Sequence, residues 1–145
     1  MTVKQISVFV ENKPGQLAEL TRLLEENKID MRALSIAETK DFGILRLIVD
    51  DAYNTVRILK EAGFICSLTP VLAVAISDTP GSLVRILDIL GQGGVNLEYT
   101  YAFIARKKDT AYLILRVTDK DKAIELLTQN DITPICQEEF AELFD

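Results

Sequence analysis

The stretch "ENKPGQLAEL", residues 11–20, joins an alternating apolar segment to a leucine-periodic one, and 66 positions later the chain writes "SDTPGSLVRI", residues 77–86. Around this repeated corner the flanks repeat too. Ile6, Val8 and Val10 recur as Leu72, Val74 and Ile76, a period of two that predicts a strand with one buried face. Leu17, Leu20 and Leu24 recur as Leu83, Ile86 and Leu90, the spacing of an amphipathic helix. The helices are expected to stop at "ENKID" and "GQGGVN", where Gly93 or Gly94 suits the left-handed residue past a helix end.

Working outward, a second strand is expected from Ile29 to about Glu38 and from Val95 to about Ile104, with turn signals in "DFG" and "KKDT". Leu45, Leu47 and Val49 then match Leu113, Leu115 and Val117 at an offset of 68, so the second hairpin is longer by two residues. "AYNTVRILKEAGF" and "KDKAIELLTQNDI" read as second helices, each leading into a short last strand. Each half is therefore β-α-β-β-α-β, a split βαβ or ferredoxin-like unit with both helices on one face of an antiparallel sheet. The expected domains are 1–69 and 71–145, divided at Pro70 with almost no linker.

Composition narrows the function. The 145 residues are 48% hydrophobic and 26% charged with net charge −6, the profile of a soluble globular chain. Its longest basic run is Arg106–Lys108, too little to neutralise a phosphate backbone, so neither nucleic acid nor an anionic membrane is an expected partner. The longest apolar run, Val71–Ile76, is strand-sized and far short of a membrane span. Cys66 and Cys136, with no signal-peptide pattern, are expected to be reduced thiols in a cytoplasmic protein. Histidine is absent, which removes the commonest general base, and two isolated cysteines make a poor metal site. No catalytic residue, metal or cofactor is expected, and the chain is read as a non-enzyme.

The corner itself can bind something. Proline costs nothing in the first turn of a helix, and the following glycine leaves the helix end unshielded. The amides of Gly15, Gln16 and Leu17, and of Gly81, Ser82 and Leu83, are then available to an anion such as a carboxylate. Asn12 and Asp78, just upstream, offer oxygens to an ammonium group. Amides for a carboxylate and oxygens for an ammonium suit an amino acid. The competing reading is that Asn12, Asp78 and Thr79 are ordinary helix caps.

The doubled pattern, with "ENKPGQL" and "SDTPGSL" in the first strand-to-helix turn and "NKIDM" and "GGVNLEYTYAF" opening the second strand, resembles a tandem ACT domain protein over nearly the whole chain. That resemblance implies two ACT domains side by side with their second strands adjacent, forming one eight-stranded antiparallel sheet with four helices on one face. It also implies amino-acid binding at the seam, between the first turn of one domain and the second-strand start of its neighbour. Carried onto this chain, one site uses Asn12, Gly15, Gln16 and Leu17 with Asn96 and Leu97. The other uses Asp78, Gly81, Ser82 and Leu83 with Asp30 and Met31. Neutral Asn12 and charged Asp78 make the two sites unequal.

Two further expectations concern partners. Ser7, Phe9, Ile44, Arg46 and Ile48, with Ala73, Ala75, Tyr112, Ile114 and Arg116, form a half-apolar outer sheet face suited to a homodimer, or are scattered exposed residues of no consequence. On the second strands, Leu97, Tyr99, Tyr101 and Phe103 stand where the first half has Met31, Ala33, Ser35 and Ala37; large side chains could cross a seam against small ones, or could fill their own domain. In "EEFAELFD", Phe140 and Phe144 stand at i and i+4, the mark of a short helix docking by an aromatic face. The functional alternatives are a ligand-free interaction scaffold and, less favoured by the charge, an RNA-binding module. Any regulated enzyme or other protein partner is left unnamed by the sequence.

Overall fold

The computed structural model describes residues 1–103 and 105–144. Its chain divides into two compact units, Lys4–Thr69 and Pro70–Asp145, the latter joined by Met1–Val3.

In the unit Lys4–Thr69 the order is β1 (Val3–Glu11), α1 (Gln16–Glu26), β2 (Met31–Glu38), β3 (Phe42–Val49), α2 (Ala52–Glu61) and the opening part of β4 (Ile65–Ser77). Strand β3 is central. It pairs antiparallel with β1, Val8 facing Leu45, and with β2, Ile36 facing Leu45. Ser7 Oγ lies 3.1 Å from Thr69 Oγ1, linking β1 to β4. The period-two positions Ile6, Val8, Leu45 and Leu47 are fully buried beneath Leu20, Leu24 and Leu59 of the two helices. Helix α2 starts on Asp51, whose carboxylate accepts from Asn54 N at 3.1 Å.

The unit Pro70–Asp145 repeats this order with the rest of β4, α3 (Ser82–Gln92), β5 (Leu97–Phe103), β6 (Thr110–Val117) and α4 (Lys120–Gln129), and adds α5 (Gln137–Glu142). Val74 faces Leu113 across β4–β6, and Ala102 faces Leu113 across β5–β6. Asp119 caps α4 as Asp51 caps α2, accepting from Lys122 N at 3.1 Å. Both second strands break register at the same step, between Met31 and Ala33 and between Leu97 and Tyr99. The repeat thus extends to a backbone irregularity that no periodicity announces.

The fold is α+β with two ACT-like βαββαβ units, but the expected eight strands and four helices are corrected to six and five among the described residues. Two causes account for the strands. The last strand of the first half and the first of the second are one unbroken 13-residue strand, β4. The segment 132–136 forms no strand: Pro134 carries no N–H for a ladder, and Ile135 N donating to Ala73 O at 2.7 Å is the bond that ties the segment to β4. The fifth helix is the aromatic tail. Phe140 is 2% exposed and its ring lies 5.1 Å from Phe103, which stacks on Tyr112 at 5.2 Å. The expected end of the second strand at Ile104 lies outside the described residues.

The outer-face expectation is met only in part. Ile48, Ala73, Tyr112 and Ile114 are buried within the chain itself, whereas Phe9, Phe42 and Ile44 are 47%, 46% and 36% exposed. The open apolar area is thus one end of the first unit's sheet. No helix of the described residues is long and apolar enough to cross a membrane.

Candidate functional site

Each corner is built on a left-handed backbone that favours glycine. Gly15 has φ 83° and Gly81 φ 92°; both are helix N-caps, and neither helix start receives a side-chain cap. A side chain at either position meets no atom within 4 Å, so glycine is needed for its dihedral freedom and not for space. Pro14 and Pro80 precede the cap instead of occupying the first turn. The capping role weighed for Asn12, Asp78 and Thr79 is absent: Thr79 Oγ1 instead meets Ser82 Oγ at 3.0 Å and Ser77 Oγ at 3.2 Å.

Of the expected amides, Gln16 N and Ser82 N are partly spent, donating back to Lys13 O and Thr79 O at 3.3 Å each. The amides of Gly15, Leu17, Gly81 and Leu83 donate to no carbonyl among the described residues. Asn12 is committed in a way sequence reasoning missed. Its Nδ2 donates to Thr39 O at 3.0 Å and Lys40 O at 3.4 Å, pinning the corner to the β2–β3 turn. Both corners share the backbone version of that tie, Asn12 N to Asp41 O at 2.9 Å and Asp78 N to Asp109 O at 3.0 Å. Asp78 makes no side-chain tie of this kind among the described residues, so the two corners differ in their side-chain anchoring.

The second-strand starts are anchored to the ends of the third strands. Asp30 N donates to Asp50 Oδ1 at 3.1 Å and Asn96 N to Thr118 Oγ1 at 3.2 Å. The Asp30 carboxylate is already engaged, 3.1 Å from Arg32 Nε. Met31 is 38% exposed, while Leu97 packs against its unit's core. Within a unit the corner and the second-strand start are not brought together: Glu38 faces Gly43 at the corner end of β3, and Met31 faces Val49 at the other. The separation is roughly 20 Å at the rise of a strand.

What the first corner does meet is the end of its own β2. A cavity of about 170 Å³ lies between Asn12, Gln16 and Leu17 and the residues Ile36, Glu38 and Gly43. The strand register gave a route to these three, since β1 and β2 both run antiparallel to β3 and end on the same side. Gly43 keeps this floor low, because a side chain there would touch Val10 Cγ2 at 3.4 Å and Ile36 Cγ2 at 3.6 Å. Of the second-strand aromatics, Phe103 packs inside its own unit under α5, and Tyr99 and Tyr101 stack on each other at 6.5 Å.

Nothing in the thiols suggests reactivity. Cys66 is half-buried against the first core, and burial pushes its pKa up against the opposing pull of Lys60. A thiol whose pKa rises on folding is neutral where an unfolded one ionises, so its contribution to stability is lost as pH climbs above the unfolded value. Alkylation of Cys66 by iodoacetamide at pH 8 is expected to run slower than that of a free thiol, as read by mass spectrometry of the tryptic peptide. Cys136 sits at the start of α5, not in a strand, and its amide donates to Glu139 Oε2 at 3.2 Å. Among the described residues no three His, Cys, Asp or Glu side chains cluster as metal ligands.

With two βαββαβ units, each opened at a glycine-capped helix start, the chain belongs to the ACT domain pair family, whose model matches residues 1–144. It is 36% identical to protein BT0572 from Bacteroides thetaiotaomicron, with 99% of this chain and 98% of that one covered and a TM-score of 0.91. The regulatory subunit of aspartate kinase from Thermus thermophilus, in its ligand-free form, shares the fold at 19% identity and TM-score 0.63, covering 87% of this chain and 91% of that one. The corresponding subunit from Thermus flavus is similar at 18% identity and TM-score 0.60, covering 87% and 90%. No curated protein matches the chain.

Proposed function

We propose that this chain is a non-catalytic regulatory protein of two ACT domains, 1–69 and 71–145, that binds a free amino acid between ACT units. The observation that carries the reading is the pair of uncapped helix starts at Gly15 and Gly81, each with unpaired amides beside it. The ligand carboxylate meets the amides of Gly15 and Leu17, or of Gly81 and Leu83, with the positive helix end behind them. Its ammonium meets Asn12 Oδ1 or Asp78. The second-strand starts, Asn96 and Leu97 or Asp30 and Met31, close the site from the neighbouring unit. The first corner is the stronger of the two, because Asn12 is held in place by its bond to Thr39 O.

The ligand favours one arrangement of the units and passes that preference to a partner protein, a coupling of about 1–3 kcal/mol. The likeness to two regulatory subunits of aspartate kinase supports this reading. The protein acts in the cytoplasm as a homodimer, with the open patch of Phe9, Phe42 and Ile44 available for the contact. A monomer in sedimentation at micromolar concentration would remove the dimer.

The test is thermal unfolding against the twenty amino acids at millimolar concentration. A ligand at a hundred times its Kd adds about 2.7 kcal/mol, raising Tm by several degrees. One selective rise identifies the ligand. The exposed Phe9–Phe42 pair, rings 5.3 Å apart, favours the second reading of a ligand-free scaffold, for which the panel is flat.

A further inference from the structure

The two units share a hollow between the start of the first helix and the end of the second, and they fill it differently. In Pro70–Asp145 it measures about 360 Å³ and is bounded by Ser82, Arg85 and Asp131. In Lys4–Thr69 it measures about 260 Å³ and is bounded by Gln16, Glu19 and Gly63, the residues at the same repeat positions. In the second unit the protein supplies a cation itself. Arg85 Nη2 donates to the carbonyl of Asn130, the residue that caps the end of α4, at 2.7 Å. In the first unit the matching carbonyl is that of Ala62 at the end of α2, and it accepts no hydrogen bond among the described residues.

The side chain in the place of Arg85 is Glu19, of opposite charge. Its carboxylate makes no ion pair among the described residues, and Glu11 beside it is 3.0 Å from Lys13 Nζ. The negative end of α2 points into the same space. Phe9, Phe42 and Phe64 line the rest, a surface that suits an aliphatic stem or the face of a cation. Arg22, one turn along α1, borders an adjoining hollow with Glu19, Glu26, Ala62 and Phe64.

We propose that the hollow of the first unit binds a guanidinium or primary ammonium group on a short aliphatic stem, presented by a free small molecule. The headgroup takes the place that Arg85 fills in the second unit, donating to Ala62 O and to the Glu19 carboxylate, with the stem over Phe42 and Phe64. This goes beyond the amino-acid reading and uses neither corner's amides.

The experiment is a titration of the full-length protein with n-butylguanidinium chloride, following the amide ¹⁵N–¹H shifts of Ala62, Gly63 and Phe64. Saturable shifts are expected, and neutral N-butylurea, of the same shape, should produce none. Glu19→Gln should weaken binding by about tenfold or more, the weight of a charge-assisted hydrogen bond. Glu19→Arg should abolish it by restoring the arrangement of the second unit, while Arg22→Ala, which removes a neighbouring cation, should not weaken it. Both Glu19 and Arg22 are exposed, and an unchanged spectrum elsewhere verifies the fold of each variant. The proposal is overturned if those three amides fail to shift, if butylurea shifts them equally, or if Glu19→Arg binds as the native chain does.

Discussion

Phe140→Ala is expected to destabilise the chain by about 3–5 kcal/mol, the usual cost of emptying a buried aromatic site. Phe140 is 2% exposed and touches both Phe103 and Phe144, at ring distances of 5.1 and 5.3 Å. The six residues of α5 are too few to hold a helix by themselves, so its persistence depends on this anchor. Truncation leaves a cavity and also uncovers Phe103. Calorimetry should record a Tm lower by about 10 °C for a chain of this size. Amide exchange should quicken first across 137–144, and a Tm within two degrees of the native value would show that α5 contributes no packing.

The second large effect is expected at the corner glycines. Valine at position 15 or 81 must hold φ near 83° or 92°, a left-handed conformation that costs an L-residue about 1–2 kcal/mol and a β-branched one more. Because no atom lies within 4 Å of the added Cβ, the penalty comes from the backbone alone. The chain relieves it by turning the peptide, which swings the Gly15 and Leu17 amides away from their common direction. Gly15→Val is expected to abolish amino-acid binding at the first corner and Gly81→Val at the second, with losses of stability near 2 kcal/mol. Calorimetric titration of each variant with the amino acid found by the thermal screen measures this. Native affinity in both variants would remove the corners from the site.

Much of the architecture was legible along the chain because strand and helix periods are local properties. Ile6, Val8 and Val10 alternate, Leu17, Leu20 and Leu24 follow a helical turn, and the same rhythm returns after 66 residues. The corner was visible for the same reason, since Pro followed by Gly constrains the backbone wherever it occurs. Other features depend on residues far apart. Asn12 was open to two readings, cap or ligand contact; the first gives way to side-chain Nδ2 bonds that reach carbonyls 27 and 28 residues away. The cavity at the first corner needs Ile36, Glu38 and Gly43, which come to it through strand pairing.

The sequence by itself determined two α+β units of the same order, their glycine-opened helix starts and the absence of histidine chemistry, because each follows from the residue types within a few turns of chain. Only the tertiary structure decided that β4 runs unbroken through Pro70, that the segment after α4 meets β4 through Ile135 N and forms no strand, and that α5 packs on Phe103. These outcomes turn on which distant groups satisfy a buried carbonyl or an apolar face, and hydrogen-bond partners and packing surfaces are chosen only once the chain has closed on itself.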